Sequence, residues 1–334
     1  MQQAATNIPR FQYSTASNQL GLYIEQTRTN LMLYCRDFSN AAWVKTNGTA
    51  ALNQIGLDGQ NNSASLLTAT SANATFLQTI TGASVERNLS FYIKRITGTG
   101  NIQITQDGGS TWTTVTITSA FTLMTTLVQT VLNPVVGIRL VTSGDVIVVD
   151  CGIFETRIGS STSTVGSPII TTSAAVTVGA DQTTFNNYIY APSYSAFCEF
   201  ELITQAGYYH LYNICNGSTW TNSSMFFLSS VTHRIYVEYL NSSSTKISTI
   251  AIGTISRNTL QKMYISITNN NTKSARNGIT FANGAIASGI NPPKELMDKI
   301  LLGRSTTYSN THLNKLLYKL KMYSAPINLE SETI

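Results

Sequence analysis

From about residue 31 to the end of the chain, apolar and polar residues alternate in short segments rich in Ile, Val, Tyr, Phe and Thr, separated by Gly, Asn and Ser. A period of two puts successive side chains on opposite faces of an extended strand. Such a chain is committed to half-buried sheets whose apolar faces must meet a second layer. Strands are expected at 89–95, with Leu89, Phe91 and Ile93 on one face, at 101–105 and 113–118 as a hairpin, and at 121–127 and 146–150. A second set follows at 197–203, 208–214, 225–229, 234–240, 245–250, 262–268 and 313–323. The one helical signal is 291–295, where Asn291 suits an N-cap and Pro292 the first helical position.

A length of 334 residues suits two domains, each able to bury its own core. Only 11% of residues are charged while 42% are apolar, and Thr, Ser, Asn and Gln replace the missing charge, a balance that opposes disorder. The fold class read from this pattern is all-β: two tandem antiparallel β-sandwiches of jelly-roll type.

The net charge of +5 is scattered, without the basic patch that would neutralise a row of phosphates, so nucleic acid is not an expected partner. The first ten residues carry neither a basic region nor an apolar one, and no apolar run reaches membrane-spanning length, which predicts a soluble protein made in the cytoplasm. Cys35, Cys151, Cys198 and Cys215 form no Cys-x-x-Cys pair, and His210, His233 and His312 are dispersed, so neither a metal nor a cofactor is expected. Cys35 and Cys151 are expected on the first and last strands of the N-terminal sandwich, close enough for a bridge, although a reducing cytoplasm favours thiols.

Residues 105–112, Thr-Gln-Asp-Gly-Gly-Ser-Thr-Trp, fit the Asp-box pattern of sialidases, whose physics is a hairpin turn. Asp107 is expected to bond turn amides, the glycines to supply positive φ, and Trp112 to plug the turn against the sheet. The pentapeptide Gly-Ser-Thr-Trp-Thr occurs at 109–113 and again at 217–221, where Asn216 replaces the acid. Indole faces beside short polar groups suit pyranose rings, so Trp112 and Trp220, with Tyr208, Tyr209 and Asn222, are candidate carbohydrate contacts. Glu199 and Glu201 share a strand face at a spacing near that of a retaining glycosidase, but Thr204 stands where a third acid would be needed. An ordinary solvent-facing first strand accounts for them. In 315–322 Leu316, Tyr318, Leu320 and Met322 alternate with Lys315, Leu317, Lys319 and Lys321, a solvated face that resists edge pairing.

Residues 20–43, with the lead-in Ile8-Pro9-Arg10-Phe11, run through Leu-Gly-Leu-Tyr-Ile-Glu and Arg-Thr-Asn-Leu to Asp-Phe-Ser-Asn-Ala-Ala-Trp. This stretch resembles a module opening found in virion proteins of tailed bacteriophages. The segment 157–184 is similar to the linker that follows such modules, ending in Val176-Thr177 and Ala180-Asp181, with Val178 where that motif usually carries Arg. Residues 277–278, 302–305, 313–318 and 326–333 resemble a concanavalin A-like, laminin-G-like lectin sandwich.

The resemblance implies an extended N-terminal arm at 1–30, a carbohydrate-binding-module-like sandwich at 31–158, a Ser/Thr-rich linker at 159–184 and a lectin-like sandwich at 185–334. It implies a non-enzymatic virion structural protein, assembled in the host cytoplasm, with other virion proteins and a host-surface glycan as partners and a homotrimer favoured. A fibre or adhesin, a capsid or tail decoration protein, and a polysaccharide depolymerase remain open as the first, second and third readings.

Overall fold

The computed structural model describes residues 10–13, 20–25, 27–126, 128–156 and 166–181, then 184–185, 194–201, 208–215, 223–229, 234–240, 246–254, 260–268, 271–277, 279–281, 299–302 and 315–323. These residues are all-β, in two tandem antiparallel sandwiches, and contain no helix. The helix start expected at 291–295 lies outside the described residues.

Two short strands open the chain, β1 (Arg10–Tyr13) and β2 (Leu20–Ile24). There follow β3 (Arg28–Asn30), β4 (Val44–Thr46), β5 (Gly48–Gln54), β6 (Ala64–Ala69), β7 (Ala74–Thr79) and β8 (Val85–Thr97). Next come β9 (Ile102–Thr105), β10 (Thr113–Val115), β11 (Thr122–Thr125), β12 (Gln129–Val131), β13 (Val135–Leu140), β14 (Val146–Thr156) and β15 (Val176–Val178). Strands β3 to β15 form the first compact unit. Its sheets run β10-β9-β13-β7-β4 and β11-β8-β14-β6-β5, and β15 pairs with β3. Phe76, Ile102, Ile104, Val136 and Ile138 from the first sheet meet Leu67, Leu89, Phe91, Ile93, Ile147 and Val149 from the second in one core. The alternation that predicted β8 is the alternation that fills it.

The second unit holds β16 (Thr184–Phe185), β17 (Tyr194–Glu201), β18 (Tyr208–Cys215), β19 (Ser223–Ser229), β20 (Arg234–Leu240) and β21 (Lys246–Thr254). It continues with β22 (Leu260–Thr268), β23 (Asn271–Arg276), β24 (Ile279–Phe281), β25 (Lys299–Leu302) and β26 (Lys315–Tyr323). One sheet runs β16-β25-β18-β19-β20-β21, and the other runs β1-β2-β26-β17-β22-β23-β24. Phe197, Tyr264 and Ala275 pack together on the latter.

The division of the chain therefore differs from the expected one. Within the expected arm, β1 pairs with β2 and β2 with β26, so residues 10–13 and 20–24 extend the sheet of the second unit. Their alternation, Phe11 and Tyr13 then Leu20, Leu22 and Ile24, is a strand signal, but the partner lies at the other end of the chain. The first unit begins at Arg28 and ends at Val178, so much of the expected linker belongs to it. Ile169 is buried there, and the Tyr34 N–H donates to the Thr172 carbonyl at 2.7 Å. With Ile169 buried, Ile170 packs on the core, and Arg28 and Asn30 donate to the Ser167 and Ile169 carbonyls, so an otherwise small and polar segment folds back.

In the last strand, a bulge opposite Glu199 and Phe200 pairs Glu199 with Lys319 but Phe200 with Leu317. It shifts the register by one, and Leu317, expected beside the lysines, is buried.

Candidate functional site

Within the 20–43 motif, Arg28 and Asn30 are pinned by buried hydrogen bonds. Asn30, fully buried, donates through Nδ2 to the carbonyls of Gly152 (2.9 Å) and Ile169 (2.8 Å) and accepts the N–H groups of Met32 (3.2 Å) and Phe154 (3.0 Å). Arg28 donates from Nε to Glu155 at 2.8 Å, with both side chains under 5% exposed, and from a terminal nitrogen to the Ser167 carbonyl at 2.9 Å. Val178, where the motif usually carries Arg, lies opposite Arg28 in the β3–β15 ladder. Within the second unit the Glu25 and Asp181 backbones pair, and the Asp181 carboxylate accepts the Glu25 N–H at 2.7 Å.

The Asp-Phe-Ser-Asn-x-x-Trp part forms a loop closed on itself. Asp37 accepts the Ser39 N–H at 3.0 Å, Asn40 accepts the Ala42 N–H at 3.0 Å, and Phe38 stacks on Trp43 with centroids 4.0 Å apart. The Lys45 ammonium faces the carbonyl oxygens of Trp43 (2.9 Å), Asn40 (3.0 Å), Ser39 (3.1 Å) and Phe38 (3.4 Å), and so caps the loop with a cation. Phe38 and Trp43 are buried to within 1%.

The Asp-box segment is built as its turn chemistry requires. The Thr105 hydroxyl donates to Asp107 at 2.8 Å and accepts the Gly109 N–H at 3.0 Å, while Asp107 accepts the Thr111 N–H at 2.8 Å. Gly108 and Gly109 take φ of 71° and 95°. Burial pushes the Asp107 carboxyl up, but the Thr111 and Gly109 amides and the Thr105 and Thr111 hydroxyls outweigh it and hold it below the usual range.

Trp112 is half-buried, with its indole against Gly109 and the Arg139 guanidinium 4.2 Å over the ring. Arg139 donates to the Gln103 amide oxygen at 2.8 Å, and Gln103 donates to Thr114 at 3.1 Å. By register, Thr114, Gln103, Arg139, Thr75 and Thr46 form one row across the sheet, while Ile102, Ile104 and Ile138 beside them point into the core. The solvent face of this sheet thus carries a fixed indole edge and a row of hydroxyl, amide and guanidinium groups.

A small cavity lies elsewhere on the same unit, lined by Arg36, Leu57, Asp58, Asp150, Cys151, Pro168 and Ile170. Asp150 is fully buried, pairs with Arg36 Nε at 2.8 Å and accepts the Leu57 N–H at 2.7 Å. Burial still pushes its carboxyl up, because two bonds offset only part of the lost hydration. Asp58, at the rim, behaves oppositely: burial raises it, but Arg36, the Gln60 N–H and Ser63 outweigh that and bring it to about 2.

Trp220 and Asn222, among the predicted contacts, lie outside the described residues, as does His233. Tyr208 and Tyr209 lie on β18, which is interior to its sheet. Glu199 and Glu201 lie on β17, between β26 and β22, and Glu201 is 1% exposed. The expected solvent-facing first strand is in fact an interior one. Glu199 lies opposite Lys262 on one side and Lys319 on the other. Among the described residues no three His, Cys, Asp or Glu side chains come together as a metal site. The Lys45 crown and the Arg139–Trp112 stack were not read from sequence; a Lys two residues after the motif Trp is the local signal that points to the first.

No protein-family model matches this chain, and no curated protein matches it. Among solved structures it is similar to the CBM40 of the Ruminococcus gnavus IT-sialidase bound to alpha2,3 sialyllactose, at 11% identity and TM-score 0.35, covering 41% of this chain and 78% of that one. It is also similar to sheep galectin-11, at 8% identity and TM-score 0.29 over 42% and 95% of the two chains. Mouse laminin alpha1 domains LG4-5 cover 80% of this chain and 94% of their own, at 11% identity and TM-score 0.32. Likeness at this level carries no ligand over to this chain.

Proposed function

We propose that this protein is a non-enzymatic glycan-binding component displayed on a tailed-phage particle, a fibre or adhesin that holds host-surface carbohydrate through weak, repeated contacts. The observation that carries the reading is the Trp112 face: a half-exposed indole fixed by Arg139 and the Asp107 turn, beside Thr114, Gln103 and Thr75. A pyranose offers a C–H face to an indole and hydroxyls to amides and hydroxyls, so this surface fits a sugar at its edge. A sheet face of this kind holds one sugar weakly, which makes affinity a matter of copy number, and a homotrimer would multiply it.

The virion setting is supported by the resemblance of residues 20–43 and 176–181 to phage modules, two segments whose strands β3 and β15 lie paired. A fibre is preferred to a decoration protein because residues 10–13 and 20–24 are engaged in a sheet rather than free to thread between neighbours. Two measurements test the reading. The protein immobilised on a multivalent surface is expected to retain host polysaccharide, and Trp112→Ala to lose most of that retention. Quantitative mass spectrometry of purified particles is expected to find a dozen or so copies; hundreds would favour decoration, and none would end the virion reading.

A further inference from the structure

Cys35 and Cys151 are each buried to within 1%, and both are free thiols. Cys35 is in the loop that follows β3, not on a strand as expected, and Cys151 is in β14. The Gly152 N–H donates to the Cys35 carbonyl at 2.8 Å, which brings the preceding residue, Cys151, beside Cys35. The Cys35 sulfur accepts the Thr171 N–H at 3.2 Å and donates to the Ile169 carbonyl at 3.8 Å, so its position is fixed. Cys151 forms part of the wall of the Arg36–Asp150 cavity, whose volume is about 40 Å³. A water needs roughly 10–15 Å³ by this measure, so the cavity admits a molecule with two oxygen atoms and excludes a peptide-sized one.

We propose that Cys35 and Cys151 are an oxidation-sensitive pair that hydrogen peroxide, entering through this cavity, converts to a disulfide. The pair first releases one proton to solvent from Cys35; the remaining proton then passes from Cys151 to the Cys35 thiolate, and the Cys151 thiolate attacks one peroxide oxygen. The O–O bond breaks, giving the Cys151 sulfenic acid and a hydroxide that takes the Cys35 proton and leaves as water. The Cys35 thiolate then attacks the Cys151 sulfur, the S–O bond breaks, and the second hydroxide takes up the proton released to solvent and leaves as water. Two thiols and one peroxide become one disulfide and two waters.

Arg36, which pairs with Asp150 in the same wall, supplies the positive charge that favours thiolate and departing hydroxide alike. The Cys35 thiol is lowered to about 7, chiefly by its neighbour Cys151, against burial, with Thr171 and Arg36 contributing in the same direction, while the Cys151 thiol is raised by Cys35 and by burial; the pair therefore shares one thiolate near neutral pH, and Cys151 becomes the nucleophile by giving its proton to Cys35. Cys198, by contrast, has its thiol pushed up by burial and is expected to stay inert.

The bridge would tie the loop before Trp43 to β14 once the chain meets oxidising surroundings, and it does not depend on the glycan reading. The test treats the native full-length chain with a few equivalents of hydrogen peroxide and maps peptides without reduction. Expected are the loss of two thiols per chain, a single Cys35–Cys151 linked peptide, a rise in Tm of roughly 10 °C, and a far slower reaction with glutathione disulfide. Cys35→Ser is expected to trap one added oxygen on Cys151. Sulfinic or sulfonic acid without a link, a link that forms only in denaturant, or glutathione disulfide reacting as fast as peroxide would each overturn the proposal, and mapping of the wild-type chain decides it even if the variant does not fold.

Discussion

Trp43 and Trp112 both follow an Asp-containing turn, yet one is an anchor and the other an edge. Trp43 is 1% exposed, stacks on Phe38 and donates from its ring nitrogen to the Tyr34 carbonyl at 3.2 Å. Trp112 is half-buried and rests on a guanidinium. The cations differ in the same sense: Lys45 is wrapped by four backbone carbonyls, whereas Arg139 lies in a row of side chains facing water. An indole held by aromatics in a core contributes to stability, and one held by a cation on a sheet surface leaves an edge for a ligand. The turn chemistry is similar; the neighbours decide the role.

Four measurements can break this contrast. The largest effect is expected from Trp43→Ala, which removes the biggest side chain of the core and should cost about 3–5 kcal/mol in denaturant unfolding. A cost below about 1 kcal/mol would show that the loop is dispensable. Lys45→Met keeps the apolar stem and removes the ammonium, leaving the carbonyl crown without its donor. A loss of about 1–3 kcal/mol is expected by the same assay, and an unchanged midpoint would mean that water serves the carbonyls equally well.

Trp112→Ala should reverse the pattern. Stability is expected to fall by about 1 kcal/mol or less, while retention on a polysaccharide surface drops about tenfold or more through lost stacking. Equal loss of folding and binding would make Trp112 a plug and nothing else.

The smallest effect is expected with acid. Asp107 is held below its unfolded value of 3.8, so its contribution is complete above that pH and disappears as pH falls through the lower, folded value. Fluorescence assigned with single-tryptophan variants should therefore show Trp112 loosening below pH 3.8, ahead of Trp43. A single shared transition would mean that the hairpin and the core unfold together.

Much of the fold was legible because it is local. Leu89, Phe91 and Ile93 alternate on β8, and Thr105, Asp107 and the two glycines carry their own turn within eight residues. What was missed depends on distant partners. β13 was passed over because Gly137 interrupts its pattern; added at that position, a Cβ would collide with the Phe76 backbone and the Leu77 side chain of β7. The candidate site was half legible: Trp112 was named, but the guanidinium beneath its ring comes from β13, a strand apart in the sheet order.

By itself, the amino-acid order determined that this chain builds antiparallel sheets and where its turns fall, because period-two alternation and turn propensity act within a few residues. Tertiary structure alone decided that β2 pairs with β26, that residues 166–178 complete the first unit, and that Cys151 lines a cavity. Pairing partners are selected by the total apolar surface they bury and the backbone groups they satisfy. That sum is taken over the whole chain and leaves no mark at any single position.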